Sequence, residues 1–147
     1  MTEAESEAKK LIARFEGCQL KAYKCPAGKW TIGYGHTEGV KEGDIWTQER
    51  ADAELAKEID KFRAAVLRVC PTLEATSNRL AACISLAYNI GIGNFAGSSV
   101  AKYIRRGEHR AAADAFLMWV YAGKQKLPGL VSRRQAERTV FRRDEDV

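Results

Sequence analysis

Glu16, Cys25 and Thr31 follow one another with eight and five residues between them, inside a stretch from Glu16 to Thr37 that also holds Cys18 and His36 and is broken by glycines. Each of these types can do chemistry. A carboxyl pushed against apolar surface can stay protonated and act as a general acid. A thiol can be a nucleophile or, as thiolate, a base or charge stabiliser. A threonine hydroxyl can orient a water. Glu16 comes directly after apolar Phe15 and before Gly17. That places an acid at a helix C-terminus, where the dipole favours cations. Cys25 precedes Pro26 at a strand end or turn, and Thr31 lies in a strand-like run. Taken singly, each has a structural reading: a surface acid, a half-buried thiol, a β-branched strand residue. Taken together they occupy an irregular, glycine-rich insertion, where binding and catalytic groups gather.

Regular elements must hold this insertion on both sides. Residues 3–15 read as a short helix with Leu11, Ile12 and Phe15 on one face, ended by Gly17. Residues 18–46 alternate β-branched and aromatic residues with glycine turns and predict a small antiparallel sheet. Thr47 is an N-cap for a helix running to Cys70, where Leu55, Ile59, Phe62, Val66 and Val69 share one face. At 1.5 Å per residue it spans roughly 33 Å, enough to bridge two lobes. Residues 71–147 read as a helical lobe: a buried helix capped by Thr76 or Ser77, a helix from Ser98 or Ser99 to Gly107, an alanine-rich helix from His109 to Ala122, and a last helix near Gly129–Arg142. The expected fold is α+β, mostly α, as one domain over residues 1–147.

Composition narrows the partners. The 147 residues are 46% hydrophobic and 29% charged, which describes a globular chain able to bury a core. No apolar run approaches the about 18 residues of a membrane span, and the acidic N-terminus is unlike a secretory signal. Net charge is +5, and from Lys102 to Arg143 eleven Lys/Arg face three acids. A basic face fits an anionic polymer. No zinc-finger or RNP-type motif supports nucleic acid. The four cysteines, Cys18, Cys25, Cys70 and Cys83, form no C-x-x-C, so neither a redox motif nor a metal site is indicated. Cys18 and Cys25 could pair if a turn brings their Cα atoms within about 7 Å. Such a bond would mask Cys25 and act as a redox latch, whereas a reducing cytosol would leave both thiols free.

The series Glu16-x8-Cys25-x5-Thr31, followed by Ile32-Gly-Tyr-Gly-His36-Thr37, resembles the phage-type lysozymes, glycoside hydrolase family 24. Ser85–Phe95, Ala111–Trp119 and Leu127–Glu137 are similar to that family's later signatures, so the resemblance covers nearly the whole chain. It implies a two-lobed lysozyme-like fold with the cleft between the lobes. It also implies hydrolysis of the β-1,4 bond between N-acetylmuramic acid and N-acetylglucosamine in peptidoglycan, without cofactor or metal. By carry-over Glu16 is the acid and Thr31 helps hold the attacking water. Cys25 stands where most members have Asp, as base or charge stabiliser, although a thiolate could instead attack directly. Tyr88, Asn89 and Ser98 are candidate sugar contacts. His36 is another, or else a structural hydrogen-bonder at the lobe junction. Arg133 and Arg134 read as helix-surface charges or wall contacts. The implied biology is a monomeric endolysin in the host bacterial cytoplasm that reaches the wall through a holin pore at lysis. The alternatives are a Cys25–His36 amidase or peptidase on wall peptides, and a non-catalytic peptidoglycan-binding module.

Overall fold

The computed structural model describes residues 1–145. Helix α1, Glu3–Glu16, starts where the Thr2 hydroxyl accepts from the Glu5 N–H, and stops at Gly17, whose φ of 69° no helix can continue. Its buried face, Ala4, Ala8, Leu11 and Ile12, packs on helix α3, Ser77–Ile90. The N-terminal helix therefore belongs physically to the C-terminal lobe.

The chain then leaves that lobe as a hairpin. Strand β1, Gln19–Lys24, runs antiparallel to β2, Trp30–Gly33, with Tyr23 opposite Thr31 and Lys24 opposite Trp30. A tight turn joins them: the Gly28 N–H donates to the Cys25 carbonyl at 2.8 Å, and the Cys25 N–H to the Lys29 carbonyl at 2.9 Å. The sheet expected over 18–46 is confined to these two strands and single bridges from Lys21 to Ile45 and Ile32 to His36. Ala22, Ile32, Trp46 and Ala51 form its own small core.

Helix α2, Gln48–Val69, is capped by Thr47 and carries the chain back to the helical lobe. Leu55, Ile59 and Val66 are buried along its predicted face, and Phe62 and Val69 pack at its margin. Pro71 opens a short 3-10 turn to Ala75. In α3 every residue from Arg79 to Ala87 is buried, which makes it the axis of the core. Short helices α4, Ile92–Ala96, and α5, Ser99–Arg105, follow, and Ser98 caps α5. Helix α7, Pro128–Phe141, closes the lobe against α3.

One element departs from expectation. The alanine-rich helix α6 covers only His109–Ala115 instead of reaching Ala122. A 3-10 turn, Phe116–Met118, and a small hairpin, β3 Tyr121–Ala122 with β4 Gln125–Lys126, replace its second half. Trp119-Val120-Tyr121 is a run of poor helix formers that suits a strand, and Gly123 (φ 63°) supplies the turn.

Candidate active site

Glu16 ends α1 where that helix meets the hairpin and α7. Its Oε2 accepts a hydrogen bond from Arg133 Nη1 at 2.6 Å, and its side chain remains 23% exposed. The neighbour is thus a guanidinium and not the apolar wall expected from Phe15. On the other side lies Gly35 (φ 83°), where a Cβ would sit 3.0 Å from Glu16 Oε1. Glycine at that position lets the loop backbone rest against the carboxyl. Gly33 does similar work two residues earlier, since a Cβ there would collide with the Trp46 ring at 2.8 Å.

Cys25 and Thr31 come together on the hairpin. The Cys25 thiol is pulled below the ordinary range, most by the Lys29 backbone, with Thr31 and the Ala27 backbone acting in the same direction and burial opposing them. Thr31 is buried, and its hydroxyl also reaches the Lys29 carbonyl at 3.1 Å. The thiolate is therefore easier to form at Cys25 than at an ordinary cysteine. Cys70 and Cys83 are buried and their thiols are pushed up by desolvation. Iodoacetamide should accordingly label Cys25 at neutral pH while Cys70 and Cys83 stay unmodified in the folded chain. Thr31→Val should move the onset of Cys25 labelling to higher pH, as followed by intact-mass spectrometry across a pH series.

The redox latch does not fit this fold. All four cysteines are free, and Cys18 and Cys25 lie at opposite ends of β1 rather than across a turn. Even measured along β2, the flanking pairs Gln19–Gly33 and Lys24–Trp30 are three residues apart. That is ~10 Å of strand, beyond the ~7 Å a disulfide spans. Forming the bond requires β1 to dissolve.

The expected sugar contacts fare differently from one another. Ser98 is 5% exposed; its hydroxyl donates to the Phe95 carbonyl at 2.6 Å and accepts from the Ala101 N–H at 3.2 Å. It is a helix cap that donates and accepts one hydrogen bond within the chain. The Tyr88 hydroxyl donates to the Tyr34 carbonyl, tying α3 to the hairpin loop, and burial pushes its phenol pKa up. Its ring stacks at a tilt on Phe62, 5.5 Å between centroids. Asn89 is exposed, with Oδ1 accepting from Arg134 Nη2 at 2.9 Å. His36 is anchored by Nε2 to the Glu38 carbonyl at 2.9 Å and leans on Trp46, 5.2 Å between rings. These are not the contacts of a Cys–His nucleophilic pair. His36 and Tyr88 line a groove of about 240 Å³ with Gly35, Glu58 and Phe62. A hollow of about 550 Å³ is walled by Arg79, His109, Asp114 and Arg138. Glu16, Cys25 and Thr31 line neither of these two hollows.

Arg133 and Arg134 are the second correction. They are 3% and 0% exposed, so neither is a surface charge. Arg138 is paired with Asp114 at 2.8 Å, and the basic face is smaller than the count of cations implied. The Arg-Arg-x-x-Glu137 spacing places both arginines one helical turn from a carboxylate, a readable sign of intrahelical pairing. No local feature points from α7 to Glu16.

The phage lysozyme family model matches residues 13–137, from the residues just before Glu16 to the end of the buried cluster. The chain belongs to the phage lysozyme family. It is 43% identical over 135 residues to an endolysin of Acyrthosiphon pisum secondary endosymbiont phage 1, covering 89% of this chain and 92% of that one. Among solved structures, the muramidase domain of SpmX from Asticaccaulis excentricus superposes with a TM-score of 0.81 at 34% identity, covering 91% of this chain and 93% of that one. The active form of the P1 phage endolysin Lyz gives 0.87 at 26% identity, covering 98% and 87%. The chain spans about half the length of the Bacillus phage B103 and PZA endolysins that it also matches. This phage lysozyme is a peptidoglycan hydrolase of the endolysin type, with the two-lobed, mostly helical architecture and small antiparallel sheet of that fold. Among the described residues no helix is long and apolar enough to cross a membrane.

Proposed function

We propose that this phage lysozyme is an N-acetylmuramidase that cleaves the β-1,4 bond from N-acetylmuramic acid to N-acetylglucosamine. The observation that carries the reading is Glu16, an accessible carboxyl at a helix end, gripped by Arg133 and backed by the Gly35 loop. Glu16 donates its proton to the glycosidic oxygen as the bond breaks. On the hairpin, the Thr31 hydroxyl holds a water, and the Cys25 thiolate accepts its proton or stabilises the positive charge on the sugar, so that water attacks with inversion. The enzyme works as a monomer on peptidoglycan. It accumulates in the host cytoplasm and reaches the wall through a holin lesion.

Product analysis tests the bond. Purified peptidoglycan digested under reducing conditions should yield muropeptides with new reducing ends by mass spectrometry, in wild type and, at a reduced rate, in Cys25→Ser. Released amines would mean an amidase or peptidase. Sedimentation with peptidoglycan without products would mean a binding module. A residual rate in Cys25→Ser excludes an obligatory thiol nucleophile.

A further inference from the structure

Behind Glu16 lies a buried charge cluster that this mechanism leaves unused. Glu137 is fully buried in α7. Its Oε2 accepts from Ser85 Oγ at 2.6 Å and from Arg133 Nε at 3.2 Å, and its Oε1 lies 2.9 Å from Arg134 Nε. Arg133 also gives Nη2 to the Ser85 carbonyl at 3.2 Å, which leaves Nη1 for Glu16. Two carboxylates and two guanidinia close a quartet without net charge, and Glu16 is its member with the accessible side chain. Ionised groups are costly to bury, and a helix interior packs as well with apolar side chains. Glu137 and Ser85 hold two nitrogens of the Arg133 guanidinium, Nε and Nη2, and this fixes its plane with Nη1 pointing at Glu16.

We propose that Glu137 is a positioning residue for the reaction at Glu16: it clamps Arg133 so that Nη1 meets the acid, and it cancels the charge that Arg134 would otherwise present there. Arg133 of α7 contacts Glu16 directly, Arg134 of the same helix and Tyr88 of α3 lie within electrostatic range of it, and Glu58 of α2 lies within range of Tyr88. Those facing Glu137 are the two arginines of its own helix and Ser85 and Cys83 of α3. Burial pushes the Glu137 carboxyl up, opposed by Arg134 and Arg133.

This inference rests on Glu16 being the acid, so Glu16→Gln is assayed in parallel. The readout is the pH profile of kcat/KM on purified peptidoglycan for the full chain, with folding followed by thermal melts. Glu137→Gln leaves the quartet with one excess positive charge. Its alkaline limb should move toward acid by about one pH unit, roughly a tenfold loss of rate at a fixed pH above the limb. The double variant Glu137→Gln/Arg134→Met is neutral again and should return the limb to its wild-type position. A folded Glu137→Gln whose limb superimposes on wild type, or a double variant that keeps the shift, would overturn the proposal. Should Glu137→Gln not fold, Ser85→Ala removes the 2.6 Å hydroxyl contact with all charges intact. It loosens Arg133 from Glu16 without adding positive charge, so the limb should move the other way, toward alkali, by about twofold in rate, and an unmoved limb would be equally decisive against Glu137. Wild-type activity in Glu16→Gln would instead remove the acid assignment itself.

Discussion

Glu16→Gln is expected to digest purified peptidoglycan about 10²–10⁴-fold more slowly than wild type while still folding, with a lowered melting temperature. The amide keeps the size of the carboxyl, and its oxygen still accepts from Arg133 Nη1. What is lost is the transferable proton and the charge that pairs with Arg133. The leaving sugar must then depart as an unprotonated alkoxide, and nothing else among the residues facing Glu16 is suited to replace it. Tyr88 has its hydroxyl committed to the Tyr34 carbonyl and its pKa raised by burial. Reducing-end release by both proteins at equal concentration measures the ratio. A ratio near one would place the acid elsewhere, and loss of the folded state at the assay temperature would assign Glu16 a structural part instead.

The second large effect is on stability. Arg134→Met removes the guanidinium that faces Glu137 at 2.9 Å and donates to Asn89 Oδ1 at 2.9 Å, at a position with no solvent access. Breaking a buried ion pair from one side costs about 3–5 kcal/mol because the remaining charge stays desolvated. For a domain of this size that corresponds to a fall of roughly 10 °C in Tm. Glu137→Gln/Arg134→Met should recover more than half of that loss. The remaining pair, Arg133 with Glu16, is balanced, and replacing a buried pair as a unit is often close to neutral. Calorimetric or circular-dichroism melts of both singles and the double close the cycle. Additive losses would show that Glu137 and Arg134 do not act as one unit.

Much of this arrangement is written locally. Thr2 and Thr47 cap the helices they precede, Gly17 ends α1, and the apolar spacing of α2 runs along the face that is buried. The turn from Cys25 to Lys29 brings Cys25 and Thr31 onto one hairpin, so the Glu-Cys-Thr spacing already contained half of the site. Signals of this kind are readable because capping, turn geometry and periodicity act over a few residues. They mislead where local preferences compete. The alanine-rich segment after His109 looks helical to Ala122, yet its aromatic and β-branched half forms a turn and a hairpin.

What the chain order alone determined is therefore the set of elements, the family, and the three residues proposed for the chemistry. What only the tertiary structure decided is who stands next to them. Glu16 and Arg133 are 117 residues apart in sequence and meet because α1 and α7 both pack on α3. Ser98 becomes a cap, Tyr88 a clasp between lobes, and Arg133, Arg134 and Glu137 a buried cluster, through the same packing. Cys18 and Cys25, close in sequence, are held apart by the extended strand between them. Burial and long-range charge pairing depend on which surfaces the whole core brings together, and no pattern within one helix or strand records that.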